Sequence, residues 1–514
     1  MIVRPREPRW IRSGARAPWC CFCWLLVTAA LAACSPSLVW HGRSPDRRHR
    51  AEVIEQGSSQ RVRLDDRAGP SYRGVGIEAL IWSPDSRRLA FPAERDDGWT
   101  VVVDGRELGV WDGIGEIAWS PDSRRLVYSA QRGRTWRVVN DGREGPAFDA
   151  LRAGTLVYSP RGDRLAYIGE RGDARMAVID GVIGPPCDGI SNLVFSADGA
   201  VVAYVARSGE RARLVHENGG GTERRAGARA GGEPASVRPA LPFYDAILEV
   251  ALAPRGGRVA FTAVRDLQVM AVVDGVEGTL EDAVTSLTWS PDGQRLAWIA
   301  RRGQVERVVV DGVPGAEHES VQPSRMAFSP DGSHFVHVAT QPGGWSVVFD
   351  GVPGPIYDDI TTPLFAPEGG RWAYVARRGS ASVVVLDGRE SVPYAWVSDL
   401  LFGPGGEGPA YFARRGAHTL VAHGDRRTAL ENIVPGTLVY SADGRHWACL
   451  VAVPEVRGFY VAVDGIPRRA IEMDEIVAAA MKGSTDPLAL SYDVLDLGLL
   501  RRWVAADLEN LVAP

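Results

Sequence analysis

Short apolar runs separated by polar turns follow one another along almost the whole chain after residue 34. The copy that starts at Leu287 shows the pattern: the run LTWS, the turn Pro291–Gly293, the run RLAWIA and the turn Arg301–Gly303. A valine run, the turn Asp311–Gly312 and a shorter segment complete the copy. Proline and glycine favour turns, whereas valine- and aromatic-rich runs favour strands. The pattern therefore predicts four short strands, a to d, in each copy.

Two anchors recur at nearly constant intervals. The serine of Ser-Pro-Asp, or the residue in its place, is found at Ser83, Ser120, Ser159, Ser196, Ala253, Ser290, Ser329, Ala366, Gly403 and Ser441. The spacing hardly varies, except for one much longer interval between Ser196 and Ala253. In most copies an Asp-Gly pair follows the first anchor at the same separation, at Asp104, Asp141, Asp180, Asp274, Asp311, Asp350 and Asp387, and in the copy of Ser441 it follows slightly later, at Asp464. Two anchors at a fixed separation indicate an internal repeat.

The same interval extends the repeat at both ends. Ser44 lies one repeat length before Ser83, and Asp65 follows Ser44 at the usual separation. This predicts a degenerate first copy, in which the motif is only partly kept. Residues 487–494 and 500–507 have the pattern of two strands and indicate a degenerate last copy. The sequence thus predicts eleven or twelve copies.

Repeated sheets of four short strands predict an all-β chain built of β-propeller blades. The apolar runs are continuous rather than alternating, so both faces of each sheet are expected to be covered. Propellers usually close with about four to eight blades. We therefore expect two tandem propellers, residues 34–286 and 287–514, with one large ring as the alternative.

The motifs also carry a family resemblance. An aromatic residue followed by Ser-Pro-Asp and then Arg-x-Leu, as from Trp82 and Trp119, resembles the WD40-like repeat of the TolB propeller domain and its relatives. The resemblance covers nearly the whole chain after residue 34 and implies the propeller fold. It implies a binding role only through the family, because function resides in sites placed on such scaffolds.

Composition and motif searches exclude several classes of function. The chain has 514 residues, 58 basic and 63 acidic side chains and 45% apolar residues. The resulting net charge of −5 argues against disorder and against nucleic-acid binding. Lys482 is the only lysine, and the chain has no G-K-[ST] loop, no G-x-S-x-G elbow and no H-E-x-x-H motif. We therefore expect no enzyme activity and no cofactor.

The N-terminus looks like a targeting segment. Residues 1–18 carry five arginines, and an apolar stretch of fifteen residues, 19–33, leads to Cys34. This is the form of a secretory signal, and Leu31 to Cys34 (LAAC) resembles the lipobox of bacterial lipoproteins. The prediction is a signal peptide over residues 1–33 and lipid on Cys34, which would hold the protein at the outer membrane, facing the periplasm or the cell surface. An ordinary signal peptide or an uncleaved anchor is the alternative.

The long interval and the cysteines give two further predictions. Residues 217–240 are rich in Gly, Ala, Arg and Pro, and are expected to form a mobile insertion between strands c and d. Cys187 and Cys449 occupy positions where other copies carry aromatic residues, so each is expected to be a buried free thiol.

A candidate binding face follows from the connections. The b–c turns and the d–a connections are expected on the same side of each sheet, where they place arginines beside acidic residues. The candidates are Asp112, Asp149, Asp188, Asp245, Asp282, Asp358, Arg302, Arg378 and Arg415. These residues either form a polar binding surface or a cation site, or serve the fold, each aspartate accepting backbone N–H bonds in its own loop.

The leading functional hypothesis is a non-catalytic, membrane-tethered scaffold that binds envelope proteins or peptides. A propeller enzyme with a metal in its channel and a sensor for a small ligand or glycan are the alternatives. No histidine cluster supports a metal: His334 and His337 fall on opposite faces of one strand, and His216, His318, His418 and His423 are scattered along the sequence.

Overall fold

The computed structural model describes residues 37–218, 241–406, 408–453 and 458–472, together with 504, 505 and 508. The signal peptide, Cys34, residues 219–240 of the insertion and most of the suggested last copy lie outside these residues. The prediction of an all-β chain is confirmed: within the described residues the chain folds into eleven antiparallel sheets, which we number 1 to 11 in chain order. The degenerate first copy forms sheet 1, so it is a genuine repeat.

Sheets 1 to 4 occupy the first part of the chain. Sheet 1 contains β1 (Ser37–Arg43), β2 (Arg50–Gln56), β3 (Ser59–Leu64) and β4 (Arg67–Tyr72). Sheet 2 contains β5 (Gly74–Val75), β6 (Ile81–Trp82), β7 (Leu89–Arg95), β8 (Gly98–Val103) and β9 (Arg106–Glu107). Sheet 3 contains β10 (Gly113–Trp119), β11 (Leu126–Arg132), β12 (Thr135–Asn140) and β13 (Arg143–Glu144). Sheet 4 contains β14 (Ala150–Leu151), β15 (Val157–Tyr158), β16 (Leu165–Arg171), β17 (Ala174–Ile179) and β18 (Val182–Ile183).

Sheets 5 to 8 follow in the same pattern. Sheet 5 contains β19 (Gly189–Phe195), β20 (Val201–Ser208) and β21 (Arg211–Asn218). Sheet 6 contains β22 (Ala246–Leu252), β23 (Val259–Arg265), β24 (Gln268–Val273) and β25 (Val276–Glu277). Sheet 7 contains β26 (Ala283–Trp289), β27 (Leu296–Arg302), β28 (Val305–Val310) and β29 (Val313–His318). Sheet 8 contains β30 (Ser320–Val321), β31 (Ala327–Phe328), β32 (Phe335–Gln341), β33 (Gly344–Phe349) and β34 (Val352–Tyr357).

Sheets 9 to 11 complete the described chain. Sheet 9 contains β35 (Asp359–Ile360), β36 (Leu364–Phe365), β37 (Trp372–Arg378), β38 (Ala381–Leu386) and β39 (Arg389–Glu390). Sheet 10 contains β40 (Trp396–Phe402), β41 (Pro409–Arg415), β42 (His418–His423) and β43 (Arg426–Ala429). Sheet 11 contains β44 (Val439–Tyr440), β45 (Trp447–Val453), β46 (Gly458–Val463) and β47 (Ile466–Glu472). Within the part of the chain that the structure describes, two 3-10 turns, Ile77–Ala79 and Pro323–Arg325, lie between the two pieces of strand a in sheets 2 and 8.

Each sheet is an antiparallel meander whose strands pair in chain order, from a to d in ten sheets and from a to c in the described part of sheet 5. Strand a is the irregular member. In sheets 2, 4, 8 and 9 it is broken into two short pieces that both pair with strand b. In sheet 7 it is continuous but carries a bulge beside Ser286, whose φ is 61°. A bulge tightens the local twist, and here it falls on the first strand of the meander.

The core lies between successive sheets rather than within any one of them. In sheet 7, Ile299 and Val308 are buried against Phe335 and Val348 of sheet 8. Strands b and c supply most of this core, because both faces of their apolar runs are covered, as the continuous runs predicted. Each copy therefore buries its apolar side chains against a neighbouring copy, which is the packing of a repeat protein.

By compactness the chain divides into two units. One unit comprises Met1–Leu156 and Gly169–Arg171, and the other comprises Val157–Ile168 and Gly172–Pro514. The predicted boundary near residue 286 falls within β26, and the division into two rings stays a prediction. Among the described residues, no helix has the length and apolarity that a membrane crossing needs. Cys187 and Cys449 are both free; Cys449 is buried, whereas Cys187 is half-buried.

Candidate functional site

The Ser-Pro-Asp turn is a closed set of hydrogen bonds. In sheet 7, the Ser290 hydroxyl donates to Asp292 Oδ1 at 2.5 Å, and the N–H of Arg295 donates to Ser290 Oγ at 2.9 Å. The hydrogen bond from Ser290 lowers the pKa of Asp292 below its ordinary value. The same serine–aspartate bond recurs at Ser44, Ser83, Ser120, Ser196, Ser329 and Ser441. The motif therefore holds the a–b turn together.

The Asp-Gly aspartate ties the c–d turn to strand b. Asp311 lies in the left-handed region at φ 53°, its Oδ1 accepts the N–H of Leu296 at 2.9 Å, and its Oδ2 pairs with Arg295 Nε at 2.9 Å. The Arg295 guanidinium then reaches sheet 8, where it lies 5.4 Å from the centre of the Phe328 ring and donates to the Ser333 carbonyl at 2.7 Å. The recurring motifs thus link one sheet to the next, which explains why they indicate a fold rather than a site.

The predicted acidic residues all stand at the start of strand a, and most cap the b–c turn of the same sheet. Asp282 Oδ2 accepts the N–H of Gly303 at 2.6 Å. The same contact joins Asp112 to Gly133, Asp188 to Gly209, Asp245 to Asp266 and Asp358 to Gly379. Asp149 occupies the equivalent position, and its N–H donates to the Glu170 carbonyl at 2.9 Å. These aspartates accept backbone N–H bonds, as the structural alternative expected, but from a turn further along the sheet rather than from their own loop.

Two of the three predicted arginines are held in ion pairs on the same side of their sheets. Arg302 Nε lies 3.0 Å from Glu281 Oε2, and Arg378 Nη2 lies 2.9 Å from Glu390 Oε1. Arg415 is exposed at the end of β41. The structure brings these arginines and the acids to the b–c side of the sheets, and their role as a binding face stays a prediction.

A second repeated feature, an aromatic pair, joins neighbouring sheets. The residue just before the capping position meets the third residue of strand b in the following sheet, edge to face, at ring-centre distances of 5.7 to 6.4 Å. The pairs are Tyr72–Phe91, Trp111–Tyr128, Tyr244–Phe261, Tyr357–Tyr374 and Tyr394–Tyr411. Such pairs contribute roughly 0.5–1.5 kcal/mol beyond the area they bury.

In three copies a polar side chain replaces the first aromatic residue of this pair. Cys187 replaces it before sheet 5, and its single S–H has two acceptors within reach, the carbonyls of Arg175 at 3.2 Å and Gly189 at 3.3 Å. Glu281 replaces it before sheet 7, and its buried carboxylate pairs with Arg302 and Arg307. Both of these polar substitutes have their partners, so neither leaves an open site.

The third replacement, between sheets 7 and 8, is different because both members of the pair are histidine. His318 at the end of β29 and His337 in β32 meet edge to face, with ring centres 5.6 Å apart. The side chains are 4% and 5% exposed. His318 Nδ1 and both ring nitrogens of His337 are buried without a hydrogen-bond partner. Unpaired buried polar atoms are rare in folded proteins and call for an explanation.

These histidines line a cavity of about 520 Å³, which we call the histidine cavity. Its apolar wall includes Val308 and Val310 of β28 together with Phe335 and Val348 of sheet 8. Its polar lining comes from the turns and includes Arg295, Asp311, Ser333 and Asp350. Asp311 is paired with Arg295, and Asp350 Oδ2 lies 2.6 Å from His334 Nδ1. The cavity is therefore apolar except for two imidazoles and a rim of polar groups, whose carboxylates already have partners.

Burial keeps both imidazoles neutral. Burial lowers the pKa of His337 to about 3, and the neighbouring His318 contributes to this lowering. Burial also lowers the pKa of His318. A neutral imidazole carries one N–H donor and one acceptor nitrogen, so the pair offers both kinds of hydrogen bond inside an apolar wall.

This interface also lacks a tyrosine–glutamate contact that other copies have. In other copies the tyrosine hydroxyl donates to a glutamate on strand d of the next sheet: Tyr244 to Glu277 at 3.0 Å and Tyr357 to Glu390 at 2.7 Å. That glutamate comes three residues after the Asp-Gly aspartate, and in sheet 8 this position is Pro353. Histidine has no hydroxyl and proline has no carboxylate, so this hydrogen bond is missing between sheets 7 and 8.

Reading the histidines along the chain missed the pair. His318 and His337 belong to consecutive copies, and neither is part of a recognised motif. The signal was present in the repeat register, since each histidine stands where other copies carry an aromatic residue. Among the residues that the structure describes, no group of three or more His, Cys, Asp and Glu side chains is arranged to hold a metal ion.

Comparisons with known proteins found similar solved structures only. Neither a protein-family model nor a curated protein matches the sequence. Among solved structures, a eukaryotic initiation factor is similar over 75% of this chain and 96% of its own, at 11% identity and a TM-score of 0.30. TolB from Acinetobacter baumannii is similar over 51% of this chain and 77% of its own, at 14% identity and a TM-score of 0.21. The Dos1 propeller is similar over 62% of this chain and 92% of its own, at 11% identity and a TM-score of 0.26. Scores this low carry no argument about function, and the fold class rests on the repeated four-stranded sheets themselves.

Proposed function

We propose that this chain is a non-catalytic scaffold of the cell envelope, held at the membrane by lipid on Cys34, whose repeated sheets bind an extended segment of a partner protein. The recurring polar residues support this proposal because they are engaged in turns and sheet-to-sheet links. They leave the outer strands as the surface most open to a partner.

One observation carries the proposal: strand d presents exposed apolar side chains along the edge of the meander. The residue two positions after the Asp-Gly aspartate is exposed by 65% at Val182, 72% at Val276, 69% at Val313 and 69% at Val352. Other copies carry arginine there, as at Arg106, Arg143 and Arg389. Edge strands with exposed apolar residues are places where a partner strand can add to a sheet. In sheets 7 and 8 these edge strands, β29 and β34, are six residues long.

Site-specific photo-crosslinking tests this surface. A photoreactive residue in place of Val313 or Val352 should join the same partner segment, whereas one at Arg389, the same strand position in sheet 9, should not. Val313→Arg should abolish the adduct formed from position 352. Equal adducts from position 389, or none from position 313, would contradict the proposal.

The tether has a separate test. Cys34→Ser should move the protein from the membrane fraction to the soluble fraction, since lipidation requires the thiol. Cys187→Ser is the matched control and should leave the fractionation unchanged. Membrane association that survives Cys34→Ser would contradict a lipid anchor on Cys34.

A further inference from the structure

We infer that the histidine cavity is a binding site for a small uncharged aromatic molecule that carries a hydroxyl group, such as a phenol or a naphthol. This inference does not require the proposed scaffold role, because it concerns a small ligand held between sheets 7 and 8. Val313 of the proposed partner surface also lines the cavity, so the two proposals are distinguished by their tests, ligand calorimetry here and crosslinking to a partner there.

The repeat itself indicates what fits. At the neighbouring interface between sheets 8 and 9, Tyr357 stands at the repeat position of His318, and its hydroxyl donates to Glu390 at 2.7 Å. Between sheets 7 and 8, His318, His337 and Pro353 leave this phenol and its acceptor out of the protein. A phenolic ligand would restore the missing ring and hydroxyl.

The side chains of the cavity define the polarity of the ligand. The valines and Phe335 favour a ring over a sugar, because apolar surface gains by leaving water. Three ring nitrogens of His318 and His337 are buried without a hydrogen-bond partner, so a ligand that turns these rings toward the cavity supplies one. A hydroxyl both donates and accepts a hydrogen bond. An ionised ligand is disfavoured because a buried charge needs a counter-charge, and both imidazoles are neutral.

The size of the cavity is also suitable. Pockets for small molecules usually measure about 300–1,000 Å³, and the histidine cavity measures about 520 Å³. Its rim carboxylates already have partners: Asp311 pairs with Arg295, and Asp350 Oδ2 lies 2.6 Å from His334 Nδ1, so neither carboxylate is left open to a cationic ligand.

Calorimetry with 2-naphthol, on the full chain, tests the inference. We expect one binding site, with naphthalene and 2-naphthoate each binding at least about tenfold more weakly, because the first lacks the hydroxyl and the second is charged. No heat of binding up to about 1 mM 2-naphthol, or tighter binding of naphthoate than of naphthol, would overturn the inference.

Variants locate the site. His318→Tyr combined with Pro353→Glu rebuilds the pair found at other interfaces, and should abolish 2-naphthol binding while it raises the melting temperature. His337→Phe, which keeps an aromatic ring but removes the imidazole, should weaken binding at least about tenfold. His418→Gln is the matched control on an exposed histidine and should bind like the wild type. Unchanged affinity in folded His337→Phe would overturn the assignment even where the double variant fails to fold.

Discussion

At the scale of single residues, the same side chain meets the same kind of partner in copy after copy. Asp282 caps the Gly303 turn, and Asp311 bridges strand b and Arg295. Recurrence at a repeat position is what a structural role produces, because each copy has to solve the same turn. A site specific to one place is then sought where the residues depart from the repeat, as His318 and His337 do.

The capping role of Asp282 is directly testable. Asp282→Ala leaves the N–H of Gly303 without its acceptor, so we expect the free energy of unfolding to fall by about 1 kcal/mol. Asp282→Asn retains an acceptor oxygen and should lose less. Urea denaturation followed by circular dichroism measures both. Equal stability of Asp282→Ala and the wild type would mean that the carboxylate is kept for another purpose, such as binding.

The buried histidine predicts a pH dependence. His337 has a pKa of about 3 in the folded chain and an ordinary value of 6.5 when unfolded, so between these values the unfolded state binds more protons. Its contribution is fully present above about pH 6.5 and is lost as the pH falls, by up to about 1.4 kcal/mol per pH unit.

The His337→Phe variant isolates this contribution. Between about pH 7 and about pH 4.5 its urea midpoint should fall less than that of the wild type, because phenylalanine does not titrate. His418→Gln should follow the wild type. Parallel pH profiles for wild type and His337→Phe would show that His337 is not buried in the neutral form.

At the scale of the strand and sheet, the apolar runs and turn residues specified most of the fold. Ser290 and Asp311 mark the a–b and c–d turns because Pro, Asp and Gly have few other ways to lie between two valine-rich strands. The breaks in strand a were not predicted. They depend on packing against the next sheet, and the apolar pattern is the same whether the strand is whole or divided.

The core between sheets gives a further prediction. Phe261 in sheet 6 is 1% exposed and packs edge to face with Tyr244, so Phe261→Ala should lower the free energy of unfolding by about 3–5 kcal/mol. Val276→Ala in the same sheet is the control: Val276 is 72% exposed, and little change is expected. Similar losses for the two variants, measured by chemical denaturation, would contradict the packing between sheets.

The candidate site was predicted less well than the fold. The sequence brought Asp112, Asp282 and Arg302 to one side of their sheets, because connection order alone fixes that placement. The histidine cavity was missed since it is marked by departures from the repeat, at His318 and His337, rather than by a motif. Comparing copies position by position, instead of searching for motifs, would have drawn attention to it.

At the scale of the whole molecule, the scheme is that recurring residues hold the fold together, whereas residues that differ between copies serve function. Copies of nearly equal length bury their apolar side chains against one another, and their recurring polar residues close turns and link sheets. The residues proposed for function are those that differ between copies. They are the exposed valines on the outer strands and the two histidines that line the cavity between sheets 7 and 8.

Hydrogen–deuterium exchange with and without 2-naphthol tests this scheme most directly. If the departure from the repeat is the site, protection should be confined to β28, β29, β32 and β33, which surround His318 and His337. Protection at the b–c turns beside the repeated aspartates, or spread evenly over all sheets, would contradict it.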